Sequence, residues 1–363
     1  MRPLIFLLGL HFSLSATDMC GVIRALAGAE ANRQGIPAIS VAVVWNHRLV
    51  CSIALGWADL ARRIPNTPKS RHRLASLSKP VSAVLTIKLA EEGHLALDDS
   101  VRKFMPDLPG RYDPVTIRRL LSHQSGIREY ANLDEVFSTR HYATLEDAAK
   151  TIFVASPLLF EPGAKTAYTT FGYTLLGAVL ERAMGRRFKQ LLEDRIGGFA
   201  VDDFTAAIPN RVRPYRKSSG SKWENAPAFD ASNKYPGGGL LSSAADYARF
   251  LISTSSNRLL RKESVAEMWT PQRLADGSIV PFATLGWATG KRGDHRYVTH
   301  GGLQPGSTTV MHWFPGLGSG SVILCNAEGP DLDQLQERIL SILAGSAPTR
   351  QSPTPAPPPR AAY

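Results

Sequence analysis

The chain carries none of the short signatures that mark most enzyme classes. It has no G-x-S-x-G elbow, no H-E-x-x-H pair and no P-loop. Gly316-Leu317-Gly318-Ser319-Gly320 joins two β-rich runs and opens no helix, so it is a turn and not a dinucleotide fingerprint. His295, His300 and His312 are close in sequence. His295 and His300 differ by an odd number on a strand-like run, so they face opposite ways and argue against a metal site. No metal and no cofactor is expected. Cysteine is scarce, with Cys20, Cys51 and Cys325 alone. Three fit no zinc spacing and are too few for a disulfide scaffold. Cys51 and Cys325 lie in apolar strand-like runs and read as small buried hydrophobes. A Cys51–Cys325 disulfide stays open as the alternative. No segment after the first residues is long and apolar enough to cross a membrane, which takes about 20 residues.

What is present fits a folded protein. The 363 residues are 44% hydrophobic and 20% charged, against disorder and enough for one large domain or two ordinary ones. The net charge is +11. Two basic clusters carry much of it. Arg62, Arg63, Lys69, Arg71 and Arg73 form one, and Arg211, Arg213, Arg216, Lys217 and Lys222 the other. Neither is interleaved with aromatics as a single-strand binder would be, so both read as solvated surface and nucleic acid is not an expected partner. Met1-Arg2-Pro3, an apolar Leu4–Leu10 and the small residues up to Ala16 read as a secretory signal peptide over 1–16. The expectation is a secreted or periplasmic protein with no stable membrane insertion after cleavage. Residues 17–345 would form the folded domain, and the proline-rich 346–363 a disordered tail.

The pattern of elements places strands at both ends and helices between them. A helix is expected over Asp18–Arg33, then a hairpin of Ala38–Trp45 and Leu49–Trp57 about the Asn46-His47 turn. From about Lys79 to Glu92, Val81, Val84, Leu85, Ile87 and Leu89 cover most of a helix circumference, so that helix should be buried. Shorter helices follow over 116–122, 144–154 and 173–184. Residues 201–236 are irregular and polar. A further helix starts near Ser243, where Ser243 and Asp246 have capping-box spacing. Strands return near 285–289, 297–299, 308–314 and 321–326, before a closing helix over 332–343. The fold class is therefore α+β, an α/β sandwich. One antiparallel sheet is built from both chain ends and flanked by helices, beside a mostly helical subdomain over roughly 76–200.

One chemical spacing remains, S-x-x-K, and it occurs three times. Ser100–Lys103 follows two aspartates on a polar segment, and Ser219–Lys222 lies in a basic Gly/Ser loop. Only Ser76-Leu77-Ser78-Lys79 sits ahead of the buried helix. Pro80 is tolerated only in a first helical turn, which fixes the helix start close to Ser76. Residues three apart share a helix face, so Lys79 can reach Ser76. The helix N-terminus favours a developing oxyanion. A partly desolvated lysine loses its proton more readily and can act as a base. Alone, the spacing reads better as an N-cap serine and a solvated first-turn lysine.

Two further stretches shift that balance. They are Ala167-Tyr168-Thr169-Thr170-Phe171-Gly172-Tyr173 and Thr299-His300-Gly301-Gly302-Leu303-Gln304-Pro305-Gly306. With Ser76 and Lys79 they resemble the three motifs of serine penicillin-recognising enzymes, in the same chain order. The fuller likeness is to the mitochondrial β-lactamase-like serine protease family and its bacterial relatives. Leu121-Ser122-His123-Gln124-Ser125-Gly126-Ile127, Pro157–Gly163, Met268-Trp269-Thr270-Pro271 and Cys325-Asn326 support it, over about Ile36 to Asn326.

That resemblance implies a β-lactamase/transpeptidase-like fold and a covalent acyl-enzyme on Ser76. Tyr168 would be the second catalytic group, moving a proton with Lys79. His300 would stand where many relatives have lysine and orient the substrate. Leu303, beside Gly302, would give its N–H to an oxyanion hole shared with Ser76. Thr170 takes the place of the usual Asn. A hydroxyl is shorter than an amide and cannot span its donor and acceptor geometry, which turns the expected substrate from β-lactam toward peptide or small ester. The protease-like family also tends to carry Thr there. His123 reads as part of a structural loop. A class C-type β-lactamase or D-Ala-D-Ala carboxypeptidase is the alternative within enzymes. A non-catalytic assembly protein on the same fold is the alternative outside them, and a homo-oligomer stays open because some relatives polymerise.

Overall fold

The computed structural model describes residues 16–345 except 204, 221 and 282. Residues 1–15 of the expected signal peptide 1–16, and the expected tail 346–363, lie outside them. Helix α1 (Ala16–Gln34) leads into the hairpin β1 (Ala38–Trp45) and β2 (Arg48–Asp59), with β3 (Ile64–Pro65) at its rim. After β4 (His72–Arg73) a 3-10 turn over Ala75–Leu77 runs straight into α2 (Ser78–Glu91). The middle holds α3 (Ile117–Leu121), α4 (Leu133–Val136), α5 (Leu145–Ile152), α6 (Thr170–Met184) and α7 (Phe188–Arg195). Short pieces follow: β5 (Ala200–Val201), β6 (Tyr215–Lys217), β7 (Trp223–Asn225), α8 (Tyr235–Gly238) and β8 (Leu240–Ser242). Next come α9 (Ala244–Ser255) and α10 (Lys262–Met268), then β9 (Ala288–Arg292), β10 (His295–Gln304), β11 (Ser307–Phe314), β12 (Ser319–Cys325) and α11 (Asp333–Ala344).

The expected sheet is there. Its order is β3-β2-β1-β12-β11-β10-β9, antiparallel throughout, and β1 pairs β12 with Ile39 opposite Cys325. Both faces are covered, which is why β1 reads as an unbroken apolar run. Ile39, Val41 and Val43 pack with Ile23 of α1 and Ile339 and Leu343 of α11. Ala42 and Val44 point the other way, into the core shared with α2, α6 and α9. In α2, Val81, Ala83, Val84, Leu85 and Leu89 are fully buried, as their spacing predicts.

Several details differ from expectation. Cys51 is not an unpaired hydrophobe and does not meet Cys325. It is bonded to Cys20 of α1, and Cys325 is free and buried. The partner was illegible because it follows from the docking of α1 on β2 and not from any spacing. Strand β10 runs through Gly301 and Gly302 to Gln304 and so carries the third stretch except Pro305 and Gly306, while β9 begins three residues later than read. Tyr173 lies inside α6, which starts at Thr170 because Thr169 caps it by accepting the Gly172 N–H at 3.2 Å. The capping box at Ser243 is half formed: Ser243 Oγ accepts the Asp246 N–H, and the Asp246 carboxylate accepts from the hydroxyl.

The basic clusters also need correction. Arg73 is buried (6% exposed) and pairs with Asp202 at 2.8 Å, and Arg211 pairs with Asp202 at 2.6 Å. The backbones of Arg71 and residues 210–212 bond to each other. The two clusters are thus partly joined through one buried carboxylate, where desolvation would otherwise make Arg73 costly.

Candidate active site

The turn that carries Ser76 is held on every side. Leu74 N–H donates to Leu240 O at 2.9 Å. Leu74 O accepts from Thr309 Oγ1 of β11 at 2.9 Å, and Leu77 O from the Tyr247 hydroxyl of α9 at 3.0 Å. Ser78 Oγ donates to Ala75 O at 2.7 Å and accepts from Leu240 N–H at 3.1 Å. Ala75 sits at φ +49°. A non-glycine residue in that region is strained and persists only where its surroundings over-determine it. Ser76 itself is half-buried and faces a pocket, while its neighbours on both sides are buried.

Lys79 is fully buried in the first turn of α2. Its Nζ donates to Ser76 Oγ at 3.1 Å, to Gly237 O of α8 at 2.7 Å and to Thr170 Oγ1 at 3.4 Å. It also lies 4.5 Å from the centroid of the Tyr168 ring. Burial holds the Lys79 ammonium well below the ordinary lysine range, opposed by the charge of Glu129 and helped by that of Lys234. Ser76, Lys79, Tyr168 and Thr170 therefore converge.

Tyr168 is half-buried and stacks on His123, with ring centroids 4.4 Å apart, and its ring lies 6.3 Å from that of His300. His123 has φ +60°, accepts the Thr169 N–H on Nδ1 at 3.2 Å and accepts the Ala167 N–H on its carbonyl. It shapes the loop that presents Tyr168. His300 is buried, and burial beside Lys79 lowers its pKa to about 3, so it is a neutral imidazole at ordinary pH. His300 Nδ1 lies 2.6 Å from Gly301 O.

Beyond Thr299, β10 keeps a strand partner on one side only, β11. Gly302 lies where that strand crosses the serine turn. A Cβ on it would come within 2.6 Å of Leu74 O and 2.3 Å of Thr309 Oγ1, so only glycine permits this approach. Leu303, Ala75, Ser76 and Thr170 line the same pocket.

Three residues of the site were not read from the sequence. Glu129 accepts the Thr170 N–H and a bond from the Thr170 hydroxyl, and its pKa is raised by burial against the pull of Lys79. Lys234 and Gln304 are buried pocket walls. Glu129 lies two residues after Leu121–Ile127 and Lys234 three before Gly237–Gly239, so position near those stretches was the available signal.

The family described as Beta-lactamase matches residues 23–345 of the chain. The human mitochondrial serine beta-lactamase-like protein LACTB is 27% identical, over 84% of this chain and 71% of its own length. Penicillin-binding protein 4* of Bacillus subtilis is 27% identical over 71% of this chain and 61% of its own. Among solved structures, the octameric penicillin-binding protein homologue from Pyrococcus abyssi has a TM-score of 0.75 at 22% identity, covering 90% of this chain and 78% of that one. The D-amino acid amidase from Ochrobactrum anthropi also reaches 0.75, at 20% identity, covering 90% and 99%. At those identities the structures show the fold.

Proposed function

Because the chain belongs to the β-lactamase family, we propose that it is a serine hydrolase that forms an acyl-enzyme on Ser76. The observation that carries this reading is the 3.1 Å hydrogen bond from a fully buried Lys79 to Ser76 Oγ. A desolvated amine next to a hydroxyl is suited to take its proton. Ser76 Oγ would attack a carbonyl carbon, and its proton would pass to the Lys79/Tyr168 pair and then to the leaving group. Water would release the acyl group. The N–H groups of Ser76 and Leu303 would hold the oxyanion, with Gly302 allowing their approach. His300, neutral and beside Tyr168, would orient the leaving half.

Peptides are the substrates we favour, with carboxyl esters next. Thr170 supports this. Its hydroxyl accepts from Lys79 and bonds Glu129, so it does not offer the two-sided amide that a β-lactam site uses. Among fold neighbours, one is a D-amino acid amidase and another, EstCE1, is a hydrolase with promiscuous acyltransferase activity. A fluorophosphonate probe should label wild-type protein at Ser76 and leave Ser76→Ala unlabelled. Labelling that survives Ser76→Ala ends this mechanism. Fast nitrocefin turnover would instead return the substrate to β-lactams.

The Cys20–Cys51 disulfide supports the proposal that a signal peptide sends the domain to an oxidising compartment. No helix among the described residues is long and apolar enough to cross a membrane. Self-assembly remains a proposal resting on the octameric homologue, and sedimentation velocity reads it directly.

A further inference from the structure

The pocket beside Ser76 has an unexplained lining. Lys234 is 3% exposed there, and Gln304 is 6% exposed. Gln304 Nε2 has no hydrogen-bond acceptor among the described residues. Lys234 Nζ makes one long bond, 3.4 Å to Val136 O, and otherwise lies over aromatic faces, 4.1 Å from the Phe229 centroid and 5.4 Å from that of Tyr130. Buried donors normally find acceptors, so two under-filled ones on one pocket wall need an explanation.

The neighbouring carboxylates do not supply it. Asp202 is committed to Arg73 and Arg211, Asp230 pairs with His141, and Glu129 is bonded to Thr170. Glu129 acts on both Lys79 and Lys234, and Asp202 and Asp230 act on Lys234 as well, but Lys234 Nζ donates to none of them. Lys234 Nζ thus has no carboxylate acceptor among the described residues, and burial with the charge of Arg73 pulls it down to about 7 against the charges of Glu129, Asp202 and Asp230.

The side of the serine is set as well. Tyr168 and His300 are not among the walls of this pocket, which Ser76, Leu303, Gln304, Lys234, Tyr130 and Val136 form with their neighbours. If Tyr168 delivers the proton to the leaving group, the leaving half lies toward Tyr168 and His300. The acyl half then lies toward Gln304 and Lys234, at the far end of the same strand segment. Short helix α8 ties the two functions: Lys234 is its N-cap and Gly237 O holds Lys79.

We propose that Lys234 and Gln304 form a subsite for a carboxylate on the acyl half of the substrate, so that the hydrolase prefers acidic acyl groups. This rests on the acyl-enzyme reading above. A carboxylate has the acceptor lone pairs that both donors lack, and its charge would give Lys234 the direct ion pair it does not otherwise make.

The test compares N-acetyl-peptidyl 4-nitroanilides ending in Glu or in the isosteric Gln, each as a substrate and as a competitor of fluorophosphonate labelling at Ser76. The glutamyl compound should have the higher kcat/KM, or the stronger protection of Ser76, by about tenfold or more. In Lys234→Met the ratio between the glutamyl and glutaminyl compounds should fall to about one, whatever the absolute rate of the variant, and in Gln304→Leu it should shrink. Equal behaviour of the two compounds, a preference that survives Lys234→Met, or no protection by either compound overturns the subsite. Absence of labelling in the wild type overturns the hydrolase reading instead, so the two failures are distinct. Should Lys234→Met not fold, Lys234→Gln and Gln304→Leu carry the same comparison.

Discussion

Glu129 shows how a single side chain can set the working pH of a neighbour. Its carboxylate lies across Thr170 from the Lys79 ammonium, and its charge raises the affinity of Lys79 for its proton. The other titratable groups around Lys79 are Lys234, His123, His300, Tyr168 and Tyr173. Both histidines are held neutral by burial, so Glu129 is the anion that counts. Glu129→Gln removes it, and Lys79 should then lose its proton at lower pH. If free Lys79 is the base, the acid limb of the pH profile for Ser76 labelling should move down by about one unit. A limb that stays in place would mean that Lys79 is not the group titrating there. The sequence hid this arrangement. Thr170 could be seen as a departure from Asn, but its partner forty-one positions earlier is brought to it only by the fold.

At the level of elements, the turn before α2 and the strand β10 act as one unit. The turn stores the positive φ of Ala75, and Gly302 lets β10 lie against it. Gly302→Ala should push the two apart. The labelling rate at Ser76 should then fall by about 100-fold, since a displacement of roughly 1 Å at a reacting atom has that effect. Circular dichroism should show the fold retained, and an unchanged rate would remove β10 from the site. Long elements were legible because their signals are redundant. The apolar circumference of α2, its Pro80 and the β-rich run of β1 each point the same way. Among short ones α3 was read, but α4, α8 and α10, of four to seven residues, were not, since tertiary contacts decide such pieces. The reach of β10 was underread because Gly301 and Gly302 disfavour strands, and the close approach to the serine turn overrides that preference.

Across the whole molecule, the charge pattern and the covalent link carry lessons that the sequence could not. A net charge of +11 suggested a solvated basic surface, yet Arg73 and Lys234 are interior. Counting charges does not say which are buried, because burial depends on partners such as Asp202 that are distant in sequence. The Cys20–Cys51 bond closes a loop with a sequence separation of 31 and fixes α1 to β2. Cys20→Ser should lower stability by about 2–4 kcal/mol. Urea unfolding of the variant and of the wild type, with and without reductant, reads this. If reductant destabilises Cys20→Ser as much as wild type, the bond is not the cause.

The pairing of β1 with β12 has a consequence for biosynthesis. A chain made from its N-terminus exposes the edge of Ala38–Trp45, a segment without charge or proline, until Ser319–Cys325 has been produced. Such an edge is a template for pairing between chains. Until then the hairpin must be kept apart from its copies by whatever holds the nascent polypeptide. Chains stopped short of residue 319 should therefore collect in the insoluble fraction even though Ser76, Lys79 and Tyr168 are all present in them.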